Sequence, residues 1–185
     1  MKRVFTSLLA TLGFGTAAQA QNATPPEVMA ELRARALAVR PTDIGLAPDE
    51  FTERPWGLLM ETGLQGGAVY SLVVLADGST SLYFSTGGGV IGAGGHEAVR
   101  AASKSMLETA MRLQFQAQVA SLTPLPGRGR VHFYLLTAHG TLSYSADEQG
   151  LGQGNDRMSE LFHAGHAVIA QVRLNAEARS QGRRQ

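Results

Sequence analysis

The sequence predicts an α+β protein with a five-stranded antiparallel sheet, a long helix between the third and fourth strands, and a helix at each end. Three observations carry this. Segments of period two occur in neighbouring pairs joined by short turns, so adjacent strands run antiparallel. Segments of period 3.6 stand between and outside those pairs instead of alternating with single strands. The 165 residues after the first twenty contain no Cys and are enough for one hydrophobic core, so one domain is expected, held by packing alone.

Lys2 and Arg3 precede an apolar run from Val4 to Phe14, and small residues end at Ala18-Gln19-Ala20. This is the pattern of a cleaved secretory leader, so residues 1–20 are expected to direct the chain to the periplasm or the exterior, with cleavage near Ala20. An apolar run that short cannot cross the roughly 30 Å of a bilayer core. No Cys follows it, which excludes a lipoprotein anchor. Without the leader, 14 basic residues face 15 acidic ones, and a chain near neutrality has no global field to attract nucleic acid. The same absence of Cys removes thiol nucleophiles and thiolate zinc sites.

Residues 21–55 read as an N-terminal helix and an extended connector. Thr24-Pro25-Pro26-Glu27 forms a capping box with proline at the first helical position. Val28, Met29, Leu32, Ala36 and Val39 give the helix one apolar face, with Glu31, Arg33 and Arg35 elsewhere, and Pro41 ends it. From Trp56 the period changes to two. Gly57 to Thr62, Ala68 to Ala76 and Ser79 to Ser85 read as strands, the last two joined by Asp77-Gly78 in a type I′ turn. Leu82 and Phe84 fall on one face and Ser81, Tyr83 and Ser85 on the other, so one side of the sheet is expected to meet helices and the other to be polar. A glycine-rich passage, Gly87 to Gly95, leads into a helix from about His96 to Ser121. Val131 to Thr137 and Thr141 to Ser145 form a second hairpin. The loop Ala146 to Asp156 precedes a last helix over about Arg157 to Ala178, which ends the 56–178 domain. Residues 179–185 read as a disordered basic tail.

This layout resembles profilin-like modules such as the roadblock and longin domains, in which helices flank a five-stranded antiparallel sheet; the count of three strands before the middle helix differs from the two of roadblock domains. Trp56-Gly57, the run Asp77 to Gly89 and His132-Phe133-Tyr134-Leu135-Leu136-Thr137 are similar to a group of small bacterial proteins with no assigned activity. That resemblance implies no catalytic or ligand residue.

Several constellations carry candidate chemistry. Gly87-Gly88-Gly89-Val90-Ile91-Gly92 satisfies G-x-G-x-x-G after a strand and before a helix, where amides can approach an anion. The structural alternative is a tight crossing under the long helix, with Val90 and Ile91 in the core. His163 and His166 share a helix at a three-residue spacing that suits one metal, but zinc takes three or four ligands, and no cofactor is expected. Glu61 is the one carboxylate in an apolar strand, so burial would raise its pKa, although such a residue also pairs with a cation. With His96 and His166 it forms the titratable set of an enzyme or small-ligand reading, using a pocket between the glycine passage and the last helix. Tyr70, Tyr83 and Tyr134 are expected along the polar side of the sheet, a surface suited to protein recognition. The leading expectation is a periplasmic or secreted binding module that engages another protein or a second copy of itself through its sheet face or the glycine passage.

Overall fold

The computed structural model describes residues 24–120 and 124–182. The expected leader, its cleavage point and the end of the basic tail lie outside the described residues. The Thr24 amide donates to the Glu27 carboxylate at 2.7 Å and opens helix α1 (Pro25–Ala38). The connector is not simply extended, because two 3-10 turns, Pro41–Ile44 and Pro48–Phe51, each start at a proline. Strands β1 (Gly57–Gly63), β2 (Val69–Leu75), β3 (Thr80–Phe84) and β4 (Gly89–Val90) follow, then helix α2 (Glu97–Leu113). The rest is β5 (Gln118–Val119), β6 (Arg130–Thr137), β7 (Gly140–Asp147), the short helix α3 (Glu148–Gly152) and α4 (Ser159–Gly182).

All strands pair antiparallel in one sheet of order β4-β3-β2-β1-β6-β7-β5. The sheet therefore has seven strands and not five, while the α+β class holds. The two extra strands are two residues long and close the sheet's edges, too short for any period to register. β4 lies inside the glycine passage. β5 exists because α2 stops at Leu113, well before Ser121, and a 3-10 turn at Gln114–Gln116 turns the chain back to the sheet. No Gly or Pro marks that stop; it falls where further helix would have no apolar stripe to bury. At the other end, α4 runs through Arg179 to Gly182, into the stretch read as a tail.

Strand parity sorts the core into two layers. Leu58, Met60, Leu72, Val74, Leu82, Phe133 and Leu135 pack with Val99, Met106 and Ala110 of α2 and Leu161, Val168 and Val172 of α4. Leu59, Val73, Leu75, Tyr83, Tyr134 and Leu136 pack with Met29 and Ala36 of α1. The second face is thus covered and not polar. β1 and β2 are buried at every position, which requires a layer on both sides. Tyr70 and Tyr83 do not line an exposed surface together: they are 8% and 4% exposed and belong to opposite layers.

The Asp77-Gly78 hairpin forms, with Val74 opposite Thr80. Only Gly78 has positive φ, at 88°, so the connection is a turn ending in one left-handed residue and not the type I′ form, which needs two. The glycine passage packs on this turn: a Cβ on Gly94 would lie 1.8 Å from the Gly78 carbonyl oxygen.

Candidate functional site

The register places Gly89, Tyr83, Ser71, Glu61, His132 and Ser145 in one row across six strands, all on the α1 side of the sheet. Arg33 comes down onto the middle of that row. It sits one turn after Met29 and one before Ala36, within the buried stripe of α1. Its Nε donates to Glu61 Oε1 at 3.0 Å and Oε2 at 3.1 Å, and its Nη2 donates to Tyr134 Oη at 2.9 Å. The guanidinium carbon lies 5.2 Å from the Tyr134 ring centroid, a cation–π distance. The Ser71 hydroxyl donates to Glu61 at 3.3 Å. Glu61 is wholly buried and the Arg33 side chain is 14% exposed.

Burial raises the Glu61 pKa, and the Arg33 charge, with hydrogen bonds from Arg33 and Ser71, pulls it back. The Tyr83 phenol is pushed well up by burial and then by the Glu61 charge, so it stays protonated. Its hydroxyl makes no well-formed hydrogen bond; the nearby Ser71 hydroxyl only moderates the effect of burial. His132 is held below its usual pKa by burial, then by Arg130 and Arg33, so it is neutral and leaves Arg33 as the counter-charge of Glu61.

Hollows open at both ends of the row. At the Tyr83 end, one of about 170 Å³ lies between Val28 and Leu32 of α1, Phe84, and Gly87 and Gly88. A second, of about 120 Å³, lies between Leu32, Ala36, Val73, Tyr83 and Ile91. Leu32 and Tyr83 line both, so the two make one apolar groove along α1. At the His132 end, a polar hollow of about 310 Å³ is lined by Gln116, Gln118, Tyr134, Ser143, Ser145 and Arg157, among others. A further hollow of about 470 Å³, between Phe51, Arg54, the Asp77-Gly78 turn and the Arg100 to Met111 side of α2, is lined by none of the candidate site residues named from sequence.

Of those residues, Gly87, Gly88 and Tyr83 meet in the apolar groove, which α1 completes and not the last helix. Gly89 pairs with Tyr83 in the sheet, and a Cβ there would lie 2.4 Å from the Leu82 carbonyl oxygen, so its role is close packing. Gly92, with φ of 72°, starts the turn before α2. Ile91 is exposed, not in the core. Glu61 and His166 lie on opposite faces: Tyr70 Oη is 3.3 Å from His166 Nε2, and the Phe162 ring centroid is 4.4 Å from that of His166. His166 is held below its usual pKa by burial and then by His163. His96 caps α2 with a buried, unbonded Nε2 and joins neither. Among the described residues no group of three or more His, Asp or Glu could hold a metal. Arg33 is the site residue that sequence reasoning missed; the signals were its four-residue step from Met29 and a lone Glu61 needing a cation.

Compared with family models, curated proteins and solved structures, the chain matches none.

Proposed function

We propose that this protein is an exported binding module that seats an extended apolar segment of another protein in the groove between α1 and the β3–β4 edge, beside Gly87 and Gly88. The observation that carries the reading is the clustering of exposed apolar side chains on one groove: Val28 at 41%, Phe84 at 36% and Ile91 at 55% exposure surround the two hollows that share Leu32 and Tyr83. Scattered apolar residues are ordinary on a surface, whereas several around one concavity mark a place where apolar surface is removed from water on binding. Two adjoining hollows suit two side chains of one extended segment. The sheet face is no longer part of the reading, because α1 covers it. An inhibitor-like or immunity-like role, and self-association through the same groove, fall within it.

The test is photo-crosslinking in the exporting cell. Benzoylphenylalanine placed at Ile91 or Phe84 should give a discrete crosslinked species, with the same residue at Lys104 on α2 as the control. A crosslinked mass of twice the chain would assign the partner to a second copy. Equal crosslinking from Ile91 and Lys104, or none from either groove position, contradicts the reading.

A further inference from the structure

Independently of the apolar groove, we propose that the polar hollow at the His132 end is a binding site for a neutral polyhydroxylated ligand, a saccharide. Arg157 is the cation that lines the hollow, and it is already engaged: its Nε donates to Tyr144 Oη at 3.2 Å and its Nη1 to Gln116 Oε1 at 3.2 Å. Tyr144 in turn donates to both oxygens of Asp156 at 3.1–3.2 Å, so the Arg157 charge is answered through the phenol. Behind the hollow, Glu61 answers Arg33 directly, in an ion pair at 3.0 Å. Arg157 and Arg33 are thus each answered by a carboxylate, and Arg130 at the rim spends an Nη2 hydrogen on the neutral Ser145 hydroxyl, which leaves little attraction for an anion at the centre of the hollow.

What remains are groups that donate and accept without charge. Gln116 spends its amide oxygen on Arg157 and keeps the amide hydrogens to donate. Ser145 accepts from Arg130 at 3.0 Å, which leaves its own proton to donate. Gln118 and Ser143 each supply a donor and an acceptor, and they face each other across the β5–β7 pair. Vicinal hydroxyls of a sugar match that alternation because each both donates and accepts. A carboxylate only accepts, a phosphate mostly accepts and brings charge, and an apolar ligand satisfies neither.

Phe115 adjoins the lining residue Gln116 in the chain and is not itself part of the lining. The 3-10 turn that supplies Gln116 presents Phe115 at 75% exposure, and the next strand adds exposed Val119 to the lining. A flat ring left this open costs hydration and offers a platform for the C–H face of a pyranose, the geometry in which sugars bury apolar area without losing their hydroxyl contacts. The end of α2 at Leu113 is what places both there: continued helix would carry Phe115, Gln116 and Gln118 away from the sheet edge.

The experiment follows the side-chain amide signals of Gln116 and Gln118 by NMR while glucose, galactose, mannose and N-acetylglucosamine are added in turn, with inorganic phosphate as the anionic probe. At least one sugar should give saturable shifts at both amides. Phe115→Ala and Gln118→Ala should each weaken its Kd about tenfold, the loss of one good contact. Both side chains are exposed, so the variants keep the fold, and Lys104→Ala should leave Kd unchanged. No saturable shift with any of the four sugars, or saturable shifts with phosphate alone, overturns the proposal.

Discussion

Arg33 Nε lies 3.0 Å from the wholly buried Glu61 carboxylate, and this ion pair joins α1 to the central strand β1. Apolar contacts of Met29 and Ala36 bring α1 to the sheet, but they do not fix its rotation. The pair does, because a buried carboxylate tolerates one arrangement of its cation. The groove at one end of the row and the polar hollow at the other both depend on where α1 and Tyr134 sit. Arg33 holds each of them.

The two lowered histidines set the acid side of the stability profile. His132 and His166 have folded pKa values below the ordinary imidazole value of about 6.5. The unfolded chain therefore binds more protons there, and the stability they contribute is complete above about pH 6.5 and is lost as pH falls through their folded values. The urea midpoint should drop over that range, and His132→Gln should make the drop shallower. A profile unchanged by His132→Gln would contradict this.

Glu61 acts with the opposite sign. A raised carboxylate pKa means that folding is favoured most below the ordinary value and weakens as pH rises through the folded one. Arg33 limits that weakening, so Arg33→Met should deepen it, seen as a stability loss that grows between mildly acid and neutral pH.

Glycines in the same passage should differ sharply. Gly94→Ala forces a methyl to within 1.8 Å of the Gly78 carbonyl oxygen and must move the hairpin turn, a cost of about 3 kcal/mol or more. Gly88→Ala meets open space and pays only for its φ of 80°, about 1–2 kcal/mol. Equal losses in chemical denaturation would refute the packing role assigned to Gly94.

Tyr83 carries a buried hydroxyl without a well-formed bond. Tyr83→Phe removes a desolvated group and keeps the ring, so it should stabilise the protein by about 1 kcal/mol. A loss of stability would mean that the Ser71 hydroxyl pairs with the phenol more strongly than the geometry indicates.

Much of this was legible in the residues. The proline at the start of α1, the Asp77-Gly78 hairpin and the parity of Leu82 against Tyr83 follow from local chemistry, and the structure keeps all three. The second covered face was also readable, since Val69 to Leu75 is apolar on both parities except Ser71, the mark of a strand buried on two sides. What was not legible depends on distant partners. The two edge strands have no period of their own, and the end of α2 is set by where the sheet ceases to need cover. A charged residue in an apolar helix stripe, Arg33, makes sense only once Glu61 lies opposite. The exposed end of Ile91 reflects the turn that Gly92 makes, not its own hydrophobicity.

The most direct test of the account is a double-mutant cycle on Arg33 and Glu61, read by chemical denaturation. Arg33→Met and Glu61→Leu should each destabilise the protein, Arg33→Met by about 3–5 kcal/mol because it strands a buried carboxylate. The double variant should recover much of that loss, giving a coupling well above 1 kcal/mol. Additive losses would mean that α1 is held by its apolar face alone, and that the row from Tyr83 to His132 does not set the geometry of the two hollows.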